Sequence, residues 1–299
     1  MKHLLSIEAL DADQIRRIVA AAAEMKLLRG SHPDRPLDGE CWAIMFAKSS
    51  TRTRLSFEVG LRELGAQPLF LAANDIQLGR GEPIRDTARV MGRMIHGAVI
   101  RTFAQADVEE FAEMSGIRTI NALTDAEHPC QILSDLLTIT EKRDSLDDLT
   151  VAFIGDADCN VGRSWIWAAA RLGFTLRMAA PSRFQPPAEL LARAGGRISV
   201  TDDVAAACEG ADVLYTDVWV SMGKEEETAF RMAQFAGYQI NAAALAAAGG
   251  SPLVMHCLPA YRGKEITDDV FEAHAKTIFD QAENRLHTQK AILALLDRG

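Results

Sequence analysis

The feature that most constrains this chain is a repeated alternation between short apolar runs and amphipathic stretches of helical period. An amphipathic helix is predicted first, over about 11–28. Apolar runs then occur at 42–47, 68–73, 98–103 and 118–123, and in a second series at 150–154, 176–180, 198–201, 213–215 and 253–258. Short apolar runs that alternate with helices are typical of parallel sheets covered on both faces. The pattern predicts an α/β fold of two doubly wound parallel-sheet domains joined by helices.

A charged segment without apolar periodicity, 141–148, separates the two series. We expect a long helix that begins near His128 to end there and to link the halves. A length of 299 residues also suits about two domains. The predicted boundaries are 1–143 for the first domain, 144–283 for the second, and 284–299 for a C-terminal helix that opens around Glu283.

Charge and cysteine content exclude several classes of protein. The net charge of −9 argues against a nucleic-acid partner held by counterion release. Five cysteines, an odd number with no CxxC spacing, suggest neither a disulfide framework nor a zinc site. The N-terminus lacks the pattern of a signal peptide, and no stretch approaches the roughly 20 apolar residues of a membrane span. We therefore expect a cytoplasmic protein without a membrane or nucleic-acid partner.

The segment Ser49–Arg54, with sequence SSTRTR, follows the first predicted strand and opens a helix near Thr51. The free N–H groups of a helix start favour an anion, and hydroxyls with a planar guanidinium suit phosphate. An ordinary Ser/Thr N-cap with solvated arginines is the alternative. The whole cluster favours an anion site. Its expected contacts are Ser50, Thr51, Arg52 and Thr53, whereas Ser49 and Arg54 are expected to be structural.

The motif His128-Pro129-Cys130-Gln131 also follows a predicted strand and opens a helix. His128 and Gln131 are three residues apart and can point to one side of the helix. A histidine N–H and a glutamine oxygen together suit a small group with a carbonyl and an amide. The alternative is a histidine satisfied within the linker between the domains.

The segment 155–162 lies where a dinucleotide fingerprint would lie, after the first strand of the second series. It is not GxGxxG, and no acidic residue ends the next strand, so a nicotinamide cofactor is disfavoured. The chain also lacks GxxxxGK[ST], the phosphate loop of many ATP-binding proteins. Asn160 either faces a polar ligand or simply caps its helix.

Three further features come from the second half of the chain. Asp217 and the Ser and Gly residues of 217–223 can hold an amine and a carboxylate, or form a surface turn. Cys257, in His256-Cys257-Leu258-Pro259, is either a core thiol or a reactive one. Arg285 is either exposed or a ligand clamp.

Taken together, these motifs resemble, in order and spacing, those of the aspartate/ornithine carbamoyltransferase family, and within it the ornithine enzymes. The likeness covers essentially the whole chain, and 86–90 and 283–285 share it. One departure is Cys159-Asn160, where an asparagine pair is common in the family. The resemblance implies a carbamoyl-phosphate domain, an ornithine domain and a last helix that packs back on the first domain. It also implies a homotrimer or a multiple of trimers.

The resemblance further assigns residues to roles. The catalytic residues would be Arg101, His128 and Cys257. The carbamoyl-phosphate contacts would be Ser50, Thr51, Arg52, Thr53, Gln77, Arg101, His128, Gln131, Cys257, Leu258 and Arg285. The ornithine contacts would be Asn160, Asp217, Ser221 and Met222. Gln77 would reach in from a neighbouring subunit, and no metal or cofactor is implied.

The activity implied by the resemblance is transfer of the carbamoyl group of carbamoyl phosphate to the side-chain amine of L-ornithine. The products would be L-citrulline and phosphate, a step of arginine metabolism. Asp217 suits a cationic amine better than the second carboxylate of aspartate. Two alternatives stay open: another amine acceptor such as putrescine, and a non-catalytic homologue that only binds ligands.

Overall fold

The structure is a computed structural model that describes residues 1–30, 34–72, 81–220 and 225–297, without the side chain of residue 225. The chain divides into two compact units. The first consists of Met1–Leu137 with Glu283–Gly299, and the second of Thr138–Ala282. Both boundaries fall within helices, so the backbone passes between the units without a loop.

The first unit contains a parallel sheet in the order β2-β1-β3-β4. Its elements along the chain are α1 (Ala12–Leu27), β1 (Cys41–Phe46), α2 (Thr51–Glu63), β2 (Gln67–Ala72), α3 (Ile84–Met91), β3 (Gly97–Arg101), α4 (Gln105–Ser115), β4 (Arg118–Leu123) and the start of α5 (Pro129–Arg143). Leu4 forms a parallel bridge to Ile120 beside β4. Strand β3 is buried along its whole length, as its apolar run predicts, and β4 is also buried although it contains Arg118, Thr119 and Asn121.

The second unit contains a parallel sheet in the order β7-β6-β5-β8-β9. Its elements after α5 are β5 (Thr150–Ile154), α6 (Asn160–Leu172), β6 (Thr175–Ala179), α7 (Ala188–Ala194), β7 (Arg197–Thr201), α8 (Val204–Cys208), β8 (Val213–Thr216), α9 (Thr228–Gln234), α10 (Ala242–Ala248), β9 (Leu253–His256) and the start of α11 (Asp268–Leu295). These two all-parallel sheets confirm the predicted fold class.

Each sheet contains a point where the strand order reverses direction. In the first sheet this switch point lies between β1 and β3, and in the second between β5 and β8. In open α/β sheets, ligands bind outside the carboxyl ends of the strands at such a point. The residues that follow these strands are therefore the first candidates for a site.

The C-terminal helix differs from the prediction in where it begins. We expected it to open near Glu283, but α11 runs without interruption from Asp268 to Leu295, over 28 residues. No Gly or Pro interrupts this stretch, and buried polar side chains such as Gln281 and Asn284 hid its apolar period. Arg285 therefore projects from the middle of a helix and not from its first turn.

The last part of α11 packs on the first unit, as the resemblance implies. Lys290 donates to Glu63 of α2 at 2.6 Å, and Lys26 of α1 donates to Asn284 at 2.8 Å. Gly60 of α2 makes room for this packing, because a Cβ there would lie 3.2 Å from the Lys290 side chain. Within the described residues, no helix combines the length and apolar character that a membrane crossing needs.

Candidate active site

The start of α2 forms the first part of the site, at the carboxyl end of β1. Ser50 is the N-cap: its backbone is extended and its hydroxyl accepts the N–H of Thr53 at 3.3 Å. The first turn contains no acidic residue that could neutralise the positive end of the helix dipole. Ser50, Thr51, Arg52 and Thr53 therefore lie together at a helix start that favours an anion.

The two arginines of this segment have different surroundings. Arg54 donates to Glu58 at 2.6 Å and lies over the Phe70 ring at 3.5 Å from its centroid. The Nε of Arg52 is buried and has no hydrogen-bond partner in the part of the chain that the structure describes. A buried guanidinium donor without a protein partner is suited to a ligand. Arg52 is thus available to an anion, and Arg54 is engaged in the protein.

Arg285 of α11 reaches the same helix start. It is buried and donates from its guanidinium to the hydroxyl of Thr53, which is fully buried. Arg101, also buried, is the last residue of β3. The pairing of β3 with β4 shifts register between Ile100 and Arg101, the kind of bulge that redirects a side chain next to a site.

His128 precedes α5, and its carbonyl accepts the N–H of Gln131 at 3.1 Å. Burial lowers the pKa of His128 well below 6.5, and the positive charges of Arg285 and Arg101 lower it further. The imidazole is therefore neutral at physiological pH. A neutral imidazole can donate one hydrogen bond to a ligand carbonyl without adding a positive charge.

Gln131 is oriented by its neighbour on the next turn of α5. Its Nε2 donates to Asp135 at 2.8 Å, which leaves its Oε1 as the acceptor at the other end of the amide. That oxygen is buried and has no donor within residues 1–30, 34–72, 81–220 and 225–297. It can accept a hydrogen bond from an NH2 group.

Cys130, between these two residues, is structural. Its thiol donates to the Asn121 carbonyl at 3.5 Å, and burial raises its pKa to about 12. A thiol with that pKa is protonated and unreactive at neutral pH.

In the second unit, Asp217 follows β8 at the switch point. One carboxylate oxygen accepts the Val218 N–H at 2.7 Å and the Cys257 thiol at 2.9 Å. Desolvation raises the pKa of Asp217 above its usual 3.8, while His256 and these two hydrogen bonds act in the opposite direction. The second unit thus holds a carboxylate and a thiol in direct contact.

The turn that bears Cys257 is fixed by a buried His256–Glu265 pair. His256 Nδ1 accepts the Leu258 N–H at 2.8 Å, so the ring proton resides on Nε2, which lies 3.1 Å from Glu265. Glu265 also accepts the Tyr261 N–H at 2.5 Å. These bonds hold Leu258 in a left-handed conformation, with φ of 59°.

Asn160 is the first residue of α6, and Cys159 is its N-cap. The Cys159 sulfur accepts the Gly162 N–H at 3.3 Å, a role that asparagine fills in many helices. Burial, Asp217 and Asp156 raise the pKa of the Cys159 thiol well above 9.0. Cys159 is therefore a neutral thiol that replaces a capping side chain, and Asn160 keeps its place at the carboxyl end of β5.

Sequence reasoning missed a buried ion pair beside this turn. Arg231 of α9 donates to Asp156 at 2.8 Å, to the Trp219 carbonyl at 3.2 Å and to Glu227 at 2.8 Å. It thereby links the turn after β5 to the segment after β8. Asp156 was visible as an acidic residue at a strand end, but the composition around Arg231 carries no signal for its partner. Gln77, Ser221 and Met222 lie outside the described residues.

The residues described above form two half-sites, one in each unit. The first contains Arg52, Arg101, His128, Gln131 and Arg285, and the second contains Asp217 and Cys257. Both half-sites include residues at the switch points of their sheets, and their charges are opposite. The first presents arginines, a helix start, a neutral histidine and an amide oxygen, which suit an anion bearing a carbonyl and an NH2 group. The second presents a buried carboxylate, which suits a cation. The first unit can thus bind an anionic carbonyl compound, and the second unit can bind a cation such as an amine.

Comparison with known proteins identifies the family. Residues 2–141 match the carbamoyl-phosphate-binding domain of aspartate/ornithine carbamoyltransferases, and residues 147–296 match their aspartate/ornithine-binding domain. The chain belongs to the aspartate/ornithine carbamoyltransferase family.

Individual relatives resemble the chain along its whole length. It is 56% identical over 299 residues to the ornithine carbamoyltransferase of Akkermansia muciniphila, covering 99% of this chain and 98% of the relative. It is 47% identical to the anabolic ornithine carbamoyltransferase of Pseudomonas aeruginosa, covering 99% and 97%. The crystal structure of the anabolic enzyme from Campylobacter jejuni matches with a TM-score of 0.93 at 40% identity, covering 99% of each chain.

Proposed function

We propose that this protein is an ornithine carbamoyltransferase, with carbamoyl phosphate bound by the first unit and L-ornithine by the second. The observation that carries the proposal is the cationic, carbonyl-binding half-site of Arg52, Arg101, His128 and Gln131 in a chain of this family. The relatives named above are ornithine carbamoyltransferases, and this supports ornithine as the acceptor.

The donor is bound through its phosphate and its carbamoyl group separately. The start of α2, with Ser50–Thr53, binds the phosphate together with Arg285, because free N–H groups and guanidinium forks match its oxygens. Arg101 bridges phosphate and carbonyl, His128 donates to the carbonyl oxygen, and Gln131 Oε1 accepts from the NH2 group. Cys257 and Leu258 complete the donor contacts by resemblance to the family.

The acceptor arrives as an ammonium group, since the pKa of an alkyl amine is about 10.4. Asp217 attracts this cation, and Asn160, Ser221 and Met222 bind the rest of the amino acid. The raised pKa of Asp217 makes its carboxylate a better proton acceptor than an exposed aspartate. The Cys257 thiol donates a hydrogen bond to an oxygen of Asp217 and so orients this carboxylate.

In the reaction, the ammonium group first gives up one proton, for which the Asp217 carboxylate is the acceptor in the second unit, and the lone pair of the resulting amine then attacks the carbamoyl carbon to form a C–N bond. The C–O bond to phosphate then breaks, its electron pair leaves with the phosphate, and a second proton passes from the nitrogen to the departing phosphate. Arg101 and His128 stabilise the negative charge that develops on the carbonyl oxygen. Positioning the two reactants supplies much of the acceleration, and no covalent intermediate forms on the enzyme.

The acceptor is tested by incubating the purified protein and carbamoyl phosphate with ornithine, putrescine or aspartate in parallel. We expect citrulline and phosphate in equal amounts with ornithine, and much slower product formation with the other two. Faster carbamoylation of putrescine or aspartate would overturn the assignment of ornithine. Absence of any carbamoylated product would favour a non-catalytic homologue.

We further propose a cytoplasmic homotrimer, or a multiple of trimers, in which Gln77 completes a neighbour's site, acting in arginine biosynthesis. The name of the anabolic relatives supports the biosynthetic direction. Two inactive variants, Gln77→Ala and Arg52→Ala, test the shared site when they are mixed and reassembled. Mixed trimers should regain activity, because some sites then contain neither substitution. A fully active monomer of about 33 kDa, seen by light scattering, would exclude the shared site.

A further inference from the structure

The turn that precedes His128 is closed by its own hydrogen bonds. The Thr124 N–H donates to the Glu127 carbonyl at 2.9 Å, and the Glu127 N–H donates to the Thr124 hydroxyl at 3.2 Å. Both residues are buried. Pro129 then begins α5, so His128 is held between this turn and the helix. The position of its imidazole depends on the position of the turn.

The N-terminal segment of the chain supports this turn. Leu4 lies beside β4, where its N–H donates to the Thr119 carbonyl at 2.9 Å and its carbonyl accepts the Asn121 N–H at 2.7 Å. Three residues later, the Ile7 N–H donates to the Glu127 carboxylate at 2.7 Å. Leu4 and Ile7 are fully buried, which fixes the segment in place. The Glu127 side chain thus ties the turn to a segment 120 residues away in sequence.

Gln105, at the start of α4, connects the same two parts. Its Oε1 accepts the Thr124 hydroxyl at 2.8 Å, and its Nε2 donates to the Leu5 carbonyl at 3.2 Å. Asn121 donates from its side chain to the same Leu5 carbonyl at 2.9 Å. Networks of this kind, in a low dielectric, hold their members in one arrangement.

A purely structural role would not require a carboxylate at this place. Burying a polar side chain costs free energy that an apolar contact would avoid. Glu127 is 4% exposed and directly precedes the residue that contacts the donor carbonyl in the proposed function. Groups that orient a reacting side chain must hold it within a fraction of an ångström, which polar bonds of defined direction achieve better than apolar packing.

We propose that Glu127, supported by Gln105 and the segment Leu4–Ile7, is a positioning residue for His128. The inference rests on the proposed function. Through His128, Glu127 affects the binding of the carbamoyl group and not of the phosphate, since the phosphate is bound at the start of α2. Loss of Glu127 therefore affects the use of carbamoyl phosphate while the affinity for inorganic phosphate is retained.

The test uses Glu127→Gln, Glu127→Ala and Gln105→Ala in the full chain. For each variant, kcat and KM for carbamoyl phosphate are measured, together with the Kd of inorganic phosphate by calorimetry. We expect Glu127→Ala to lower kcat/KM roughly 10- to 100-fold, the effect of a misplaced reacting group. Glu127→Gln, which keeps an acceptor oxygen, should lose less, and the Kd of phosphate should change by less than about twofold, because misplacing His128 leaves the contacts at the start of α2 intact.

Glu40→Gln is the matched control. Glu40 is a buried carboxylate at the opposite end of the same sheet, where it accepts from Arg118 at 2.5 Å and from the Trp42 indole at 2.9 Å. This variant should lower the melting temperature and leave kcat/KM for carbamoyl phosphate unchanged. It separates a general loss of stability from a loss of His128 position.

The outcomes distinguish the two proposals. An active wild type with unchanged kcat/KM in Glu127→Ala, or with phosphate affinity lost in parallel, would overturn the positioning role alone. An inactive wild type would overturn the proposed function instead. If Glu127→Ala does not fold, the test relies on Gln105→Ala and Glu127→Gln. A normal kcat/KM for carbamoyl phosphate in both of these variants would contradict the positioning role.

Discussion

The two compact units place opposite charges at the same topological position. In the first, Arg52, Arg101 and Arg285 gather at the carboxyl end of a parallel sheet. In the second, Asp217 and Asp156 follow β8 and β5 at the equivalent switch point. The common fold determines where a ligand binds, whereas the residues after each strand determine its charge. One fold can therefore provide both halves of a reaction between an anion and a cation.

The units also differ in whether the charged groups near each half-site are paired within the protein. Arg231 pairs with Asp156 and Glu227, so charges next to the second half-site are neutralised within the protein. The Nε of Arg52 has no hydrogen-bond partner in the described part of the first unit. Removing one partner of a buried charge pair leaves the other uncompensated and destabilises the protein, whereas removing a charge that is left for a ligand weakens binding.

The largest expected effect is that of Arg52→Ala on activity. Removing a donor to the phosphate, on which negative charge grows as it leaves, lowers kcat/KM for carbamoyl phosphate by roughly 10²- to 10³-fold. Steady-state kinetics measures this loss. Because Arg52 leaves a buried donor unsatisfied, its removal should not lower the melting temperature.

Arg54→Ala is the control for this substitution. Arg54 lies two residues from Arg52, donates a hydrogen bond to Glu58 and packs over the Phe70 ring. The variant should keep kcat/KM within a few-fold, since surface pairs contribute little. Equal losses of kcat/KM in Arg52→Ala and Arg54→Ala would contradict the assignment of Arg52 to ligand binding and of Arg54 to a structural role.

Arg231→Met should have the opposite profile, with a large effect on stability. It leaves Asp156 buried without its cation, which costs about 3–5 kcal/mol. Chemical denaturation monitored by circular dichroism measures this loss. Adding Asp156→Asn should restore most of it, and no recovery in the double variant would show that the pair is not the cause.

Asp217→Asn should reduce activity and increase stability together. Loss of a charge-assisted bond to the amine lowers kcat/KM for ornithine roughly 10- to 150-fold. Because the folded-state pKa of Asp217 is raised, the folded chain binds more protons than the unfolded chain between the two pKa values. The ionised carboxylate is therefore destabilising above its raised pKa, and the variant should melt at a higher temperature at pH 7. A lower melting temperature would contradict the desolvation of Asp217.

The smallest expected effect is that the His128 imidazole does not titrate near neutral pH. Burial and two arginines keep His128 neutral, so its ring signals in a histidine-labelled NMR spectrum should not shift between pH 8 and 6. The spectrum of His128→Asn assigns the signal. A shift centred near 6.5 would show that the histidine is exposed to solvent and not to the two arginines.

The predictable parts of the molecule are those encoded by neighbouring residues. Every strand in the described part of the chain lies within two residues of its predicted range, because each contains a short apolar run, which is continuous in largely buried strands such as β3 and β5. Arg52, His128 and Asp217 follow strand ends, but His128 and Asp217 were assigned to a site only because the motifs together resemble a family, and these roles stay predictions. The start of α11 was not predicted, because buried polar residues interrupt its apolar period.

The side chains that hold the half-sites in place could not be predicted. Arg231 and Asp156 are 75 residues apart in sequence, and Glu127 and Ile7 are 120 apart. Such pairs depend on the topology of the sheets and leave no local pattern. Glu265, which fixes the His256 ring, lies in a stretch of ordinary loop composition.

The division of labour between the units is tested most directly by calorimetric titration of carbamoyl phosphate into three proteins: the wild type, Arg52→Ala and Asp217→Asn. We predict that Asp217→Asn binds carbamoyl phosphate as the wild type does, although it uses ornithine less efficiently, and that Arg52→Ala loses this binding. Loss of carbamoyl phosphate binding in Asp217→Asn, or its retention in Arg52→Ala, would contradict the assignment of the donor to the first unit and the acceptor to the second.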